Sequence, residues 1–126
     1  MNYDEFVDLV AERANVSREQ AETLTQATLT TLAERITGGE ARDLAAQLPA
    51  RLQTPLVTAE EPAEGFTLDE FIRRTAERAG TDRDTADIGM AAVMTTLRDA
   101  VTKGEFDHVM SQLPQEFQGL TPGPRA

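Results

Sequence analysis

The residues of this chain that could do chemistry are carboxylates, one imidazole and a helix that opens on two glycines. His108 is the only histidine and there are no cysteines among 126 residues. A transition-metal site draws on clustered His and Cys, so with neither repeated the expectation is no metal site and a solvated His108. Asp4-Glu5, Asp69-Glu70 and Asp82/Asp84/Asp87 are close-set acids of the kind that serve general acid–base catalysis. All fall where helices begin, and there a carboxylate stabilises the positive end of the helix dipole. Gly38-Gly39 could present amides to a phosphate, but Glu40 would repel that anion. Neither G-x-G-x-x-G nor a P-loop lysine is present. Glu60, Glu61 and Glu64 lack the regular oxygen spacing and central glycine of a calcium loop. Met90, Met94 and Met110 could line an adaptable groove, but their helical spacing favours core. The expectation is therefore a non-enzyme with no catalytic, cofactor-binding or metal residues and no cofactor.

The elements that hold these residues are stated twice. Thr37-Gly38-Gly39-Glu40 leads to Gln47-Leu48-Pro49, and 65 positions on Thr102-Lys103-Gly104-Glu105 leads to Gln112-Leu113-Pro114. In the same register Asp4-Glu5-Phe6 returns as Asp69-Glu70-Phe71, and Ala11-Glu12-Arg13-Ala14 as Ala76-Glu77-Arg78-Ala79. His108 then occupies the position of Asp43. A gapless register of this kind marks an internal repeat.

Within repeat one, Asn2 and Glu5 have capping-box spacing, and Phe6, Val10 and Ala14 make one apolar stripe. Asn15 suits the left-handed position that ends such a helix, as Gly80 does in repeat two. Ser17 and Asp82 restart the chain as caps of long helices. The first carries Leu29, Leu32 and Ile36 on one face; the second carries Met90, Val93, Met94, Leu97 and Val101. Thr37 caps a short third helix with Glu40 as its partner, and the glycine pair is read as a sharp turn. Pro49 closes that helix, and Ala50 to Gln53 continue helically. No stretch alternates with the period of a strand.

The expected fold is all-α: two copies of a helical hairpin with short helices, packed as one bundle with pseudo-twofold symmetry. Repeat one spans residues 1–53 and repeat two 66–118. An acidic linker with Pro55 and Pro62 fills 54–65 and a flexible tail 119–126. Extended, the linker reaches roughly 40 Å and restrains docking little. A repeat of about 50 residues buries little core alone, so the two should share one. The residues expected to carry the structure are Phe6, Phe71, Leu32, Leu97, Gly39, Gly104, Leu48, Leu113, Pro49 and Pro114.

Net charge is −10, from 22 acids against 12 bases, and Lys103 is the only lysine. Such a surface repels nucleic acid and anionic membranes. There is no apolar run of the roughly 20 residues needed to span a bilayer, and the first residues are acidic, unlike a signal peptide. A cytoplasmic protein, monomeric or weakly dimeric, is expected.

On the acid-acid-Phe starts, the Ala-Glu-Arg-Ala segments and the Gly39-Glu40 turn leading to Gln47-Leu48-Pro49, with their second copies, the chain resembles a bacterial family. That is the domain-of-unknown-function family numbered 2267, and the resemblance covers about residues 1 to 118. It implies an all-helical tandem repeat and supplies no catalytic residues. Residues 1–40 also resemble the helical half of HU-type nucleoid proteins, through Glu5-Phe6-Val7-Asp8, Val10-Ala11-Glu12-Arg13-Ala14, Val16-Ser17 and Gly39-Glu40. After Glu40 that pattern ends: Ala41-Arg42-Asp43-Leu44 continues as helix, and no basic DNA-gripping ribbon follows. The leading functional expectation is a non-catalytic protein-interaction or scaffold module with an unknown protein partner. The alternatives are a small apolar ligand bound between the repeats and an HU-like nucleoid role.

Overall fold

The computed structural model describes residues 1–57 and 63–120. Its helices are α1 (Tyr3–Ala14), α2 (Arg18–Arg35), α3 (Gly38–Ala45), α4 (Ala50–Val57), α5 (Leu68–Ala79), α6 (Arg83–Ala100) and α7 (Lys103–Ser111). A 3₁₀ segment, Gln115–Leu120, follows. No strand occurs among the described residues.

Local chemistry sets most helix ends. The Asn2 side chain accepts from Glu5 N, and the Glu5 carboxylate accepts from Asn2 N, so α1 starts on a complete capping box. Ser17, Thr37, Thr67, Asp82 and Thr102 each accept from the amide three residues on. These bonds satisfy amides that have no partner within the helix. Asn15 (φ 55°) and Gly80 (φ 66°) end α1 and α5 in the left-handed region.

Four features differ from the sequence reading. First, Gly38 and Gly39 do not make the turn. They lie in the first turn of α3, and only Asn15 and Gly80 among the described residues have positive φ. The direction changes through extended backbone at Ile36 and Thr37, and at Val101 and Thr102 in the second copy. A Cβ at Gly39 or Gly104 would meet nothing within 4 Å. Second, Thr54–Val57 belong to α4, not to the linker. Pro55 cannot donate to the carbonyl of Arg51, and the Gln26 amide donates to that oxygen instead, at 3.4 Å. Buried Leu52, Pro55 and Leu56 hold the helix down. Third, the linker's far end is tied: Glu64 N donates to Glu34 O at 2.8 Å, and the Glu64 carboxylate pairs with Arg74. Fourth, Gly119 and Leu120 continue the 3₁₀ segment. Glu60, Glu61, Pro62 and the tail from 121 lie outside the described residues.

One hydrophobic core draws on both repeats. Phe6 and Phe71 are buried, as are Leu32, Leu97, Leu48 and Leu113, while Pro49 and Pro114 are half-buried at its edge. Met90, Met94 and Met110 belong to this core. Helix α1 packs on α6 and α5 on α2, so each repeat lays its first helix against the other's long helix.

The polar contacts across that junction are reciprocal. Arg13 of α1 donates to Thr96 Oγ1 (2.9 Å) and Asp99 (2.6 Å) of α6. Arg78, 65 positions after Arg13, donates to Thr31 Oγ1 (2.9 Å) and Glu34 (2.7 Å) of α2. Gln47 accepts from Thr102 N at 2.8 Å, and Gln112 accepts from Thr37 N at 2.8 Å. Leu24 and Gly89 are equivalent positions, and they face each other where α2 crosses α6.

Candidate functional site

Two places combine polar groups in ways the helix scaffold does not require. The first is an open groove of about 710 Å³ lined by Tyr3, Glu22, Gln26, Thr30, Arg51 and Arg78, with Glu19, Thr23 and Ala27. The N-terminal two-thirds of α2 forms its floor, because Glu19, Glu22, Thr23, Gln26 and Thr30 recur at helical spacing on one face. Tyr3 at the start of α1 donates its hydroxyl to Glu22 at 2.6 Å. Arg51 of α4 stacks 4.0 Å above the Tyr3 ring and lies 3.8 Å from Glu22. Burial and the Glu22 carboxylate push the Tyr3 hydroxyl above its ordinary pKa. The wall is thus an aromatic ring fixed at both face and tip.

The repeats differ here. At the positions equivalent to Tyr3, Glu22, Gln26 and Arg51, repeat two has Leu68, Asp87, Ala91 and Glu116. Glu116 instead accepts from Leu68 N at 2.7 Å, so it serves the start of α5. The groove is therefore built mainly by repeat one, with Arg78 contributed by α5 of repeat two.

The second place lies between α3 and α7. Glu40 and Glu105 are equivalent residues, and they meet. Each stands in the first turn of its helix, three residues after the capping threonine. The paired bridges of Gln47 with Thr102 and Gln112 with Thr37 lock α3 and α7 together on either side. One donor atom each from Glu40, Glu105 and His108 lie within 4.8 Å of one another. Glu105 is only 9% exposed. Its Oε2 and the Oε1 of Glu40 are both buried without a hydrogen-bond partner. Burial first, then a hydrogen bond shared with the Glu40 carboxyl and the negative charges of Glu40 and Asp43, push the Glu105 carboxyl up to about 7.

Helix spacing explains the grouping. Glu105 and His108 are three apart on α7, hence on one face, and Glu40 and Asp43 repeat that arrangement on α3. Sequence reasoning treated His108 as a solvated residue and Glu40 as a partner of the Thr37 cap. His108 is indeed exposed, and Glu40 N does donate to Thr37 Oγ1. What it missed is that their side chains converge. The readable signal was Glu-x-x-Asp and Glu-x-x-His at equivalent positions of two repeats that pack together.

The other acids singled out in the sequence are separate from both places. Asp4 accepts from Arg18 at 2.5 Å, Asp69 pairs with Arg83, and Asp82 caps α6.

An all-α bundle of two helical repeats, with an open groove on one repeat and a carboxylate pair where the short helices meet, is the class of protein defined by this architecture. The chain belongs to the family of uncharacterised conserved proteins called DUF2267, whose model matches residues 3–120. A comparison with curated proteins finds no match.

Proposed function

We propose that this protein is a non-catalytic interaction module that takes a basic or amphipathic segment of a partner protein in the repeat-one groove. The two repeats act as one scaffold, related by an approximate twofold axis, and the reciprocal contacts of Arg13 and Arg78 support that reading. The observation carrying the function is the groove itself: open, about 710 Å³, and walled by the fixed Tyr3 ring. Tyr3 is a ring with fixed orientation, the kind of anchor that interfaces favour. Glu19 and Glu22 offer negative charge to a basic segment, and the net charge of −10 extends that attraction over distance. Thr23, Gln26 and Thr30 add hydrogen-bonding side chains to the same face.

The arginines support a protein partner over nucleic acid. Arg13, Arg18, Arg73, Arg74, Arg78 and Arg83 are each engaged by acids of the chain, and Lys103 pairs with Asp107. Phosphate binding needs clustered cations that are free to exchange counterions.

The test is affinity capture from the native host with the full chain, followed by mass spectrometry, comparing wild type with T23R and E19K. Thr23 and Glu19 are exposed, so both variants alter the groove without touching the core. I88T, at the equivalent of Thr23 in repeat two, is the control. A partner kept by wild type and I88T but lost by both groove variants is expected. Equal capture by all four proteins would remove the groove from the account.

A further inference from the structure

We propose that Glu40, Glu105 and His108 form a binding site for one divalent transition-metal cation, zinc by donor chemistry, held between α3 and α7. The inference is independent of the groove.

Glu40 and Glu105 each bury a carboxylate oxygen that receives no hydrogen bond from a donor of the chain, and the two carboxylates converge with the His108 imidazole to within 4.8 Å. Burying unpaired carboxylate oxygen is unfavourable unless a proton or a cation satisfies it. A proton bridges a single pair of oxygens, whereas a cation engages both carboxylates and the ring nitrogen at once.

Lys103, two residues before Glu105 on α7, pairs with Asp107 at 2.7 Å. Asp43 acts on Glu105 and adds further negative charge beside the site. It occupies the position in repeat one that His108 occupies in repeat two, and it is a third carboxylate close by.

Donor type selects the metal. Calcium and magnesium take oxygen ligands, and magnesium keeps several waters. Two carboxylates with an imidazole suit zinc or its first-row neighbours, and zinc binds more tightly than manganese or iron in such sites. Zinc–donor bonds of about 2.0–2.2 Å place tetrahedral donors about 3.3–3.6 Å apart. The longest of the present separations, at most 4.8 Å, therefore closes by up to about 1.5 Å on binding. His108 is exposed and Glu40 half-buried, so their side chains have room to turn, while Glu105 stays fixed by its burial. Three protein donors leave a fourth position for water or Asp43.

The site would also clasp the repeats. One cation would join α3 to α7, and its binding would then stabilise the folded chain by mass action.

The test uses the full chain freed of metal with a chelator, then titrated with zinc chloride and, in parallel, magnesium chloride. Heat of binding gives stoichiometry. Because His108 is the only histidine, the two imidazole nitrogens are the only such signals in a long-range ¹H–¹⁵N spectrum. One zinc per chain, a shift of the imidazole nitrogens that saturates with it, and no such shift with magnesium are expected. H108A and E105Q should each weaken zinc binding at least tenfold. Unsaturable zinc binding, an imidazole spectrum unmoved at saturation, or wild-type affinity in H108A would overturn the site and leave only diffuse attraction to an acidic surface. H108A alters an exposed side chain, so its result stands even if E105Q disturbs the fold.

Discussion

Leu24 and Gly89 occupy the same position in the two repeats and touch each other. A methyl group built on Gly89 would stand 2.7 Å from both Leu24 Cδ atoms. Glu40 and Glu105 are a second pair of equivalent residues that meet. The close approach of Leu24 and Gly89 leaves room for a leucine on one helix opposite a glycine on the other, and two leucines would not fit in the space. G89A should therefore destabilise the protein by about 1–3 kcal/mol, the usual range for overpacking. L24A alone should cost about 2–5 kcal/mol, and the G89A/L24A double variant should lose less than the sum of the two single changes. Chemical denaturation of the three variants checks both, and an unchanged midpoint for G89A would mean that the helices cross more loosely.

Gly39 and Gly104 behave in the opposite way. Both sit in helical backbone with open space where a Cβ would go. G39A and G104A should each stabilise by about 0.5–1 kcal/mol, through lower entropy of the unfolded chain and better helix propensity. Thermal melts of the single variants decide it. A lowered midpoint would restore the glycines to the turn.

The reach of sequence reasoning followed this distinction. Caps at Asn2, Ser17, Thr37 and Asp82, and left-handed ends at Asn15 and Gly80, depend on neighbours within four residues, so residue type alone reveals them. The buried stripes of Phe6 and Phe71 follow from helical period. Leu24 against Gly89, and Glu40 against Glu105 and His108, depend on where a second copy lands, and spacing along the chain does not encode that. The glycine pair looked like a turn because its composition matches one, but Thr37 and its extended backbone make the turn. Pro55 looked like a break because the compensating donor, Gln26, lies on another helix.

Phe6 and Phe71 should contribute alike, since both are fully buried on equivalent stripes. F6A and F71A should each cost about 3–5 kcal/mol. A domain of this size has a total stability of about 5–15 kcal/mol, so either change should lower a melting midpoint plainly. A small loss for one alone would show that its repeat contributes less of the core.

Acid should weaken the junction between α2 and α5. Hydrogen bonds from Arg78 and then Arg74 hold the Glu34 carboxyl below its ordinary value of 4.5. A depressed folded-state pKa means the contribution is complete above pH 4.5 and disappears as pH falls below it. E34Q should cost about 1–2 kcal/mol at pH 7, because its arginine partners lose a charged acceptor. Its stability should then fall less steeply than wild type between pH 5 and 3 (about the range where glutamate protonates). Denaturant midpoints across that range measure it, and parallel curves for the two proteins would assign the acid sensitivity elsewhere.

The central claim is that the repeats fold as one unit around a shared core. Circular dichroism of residues 1–57 and 63–120, each expressed alone and then mixed in equal amounts, tests it most directly. The account predicts little helix in either fragment at low concentration and a gain of helix on mixing. Either fragment stably helical and monomeric by itself would contradict it.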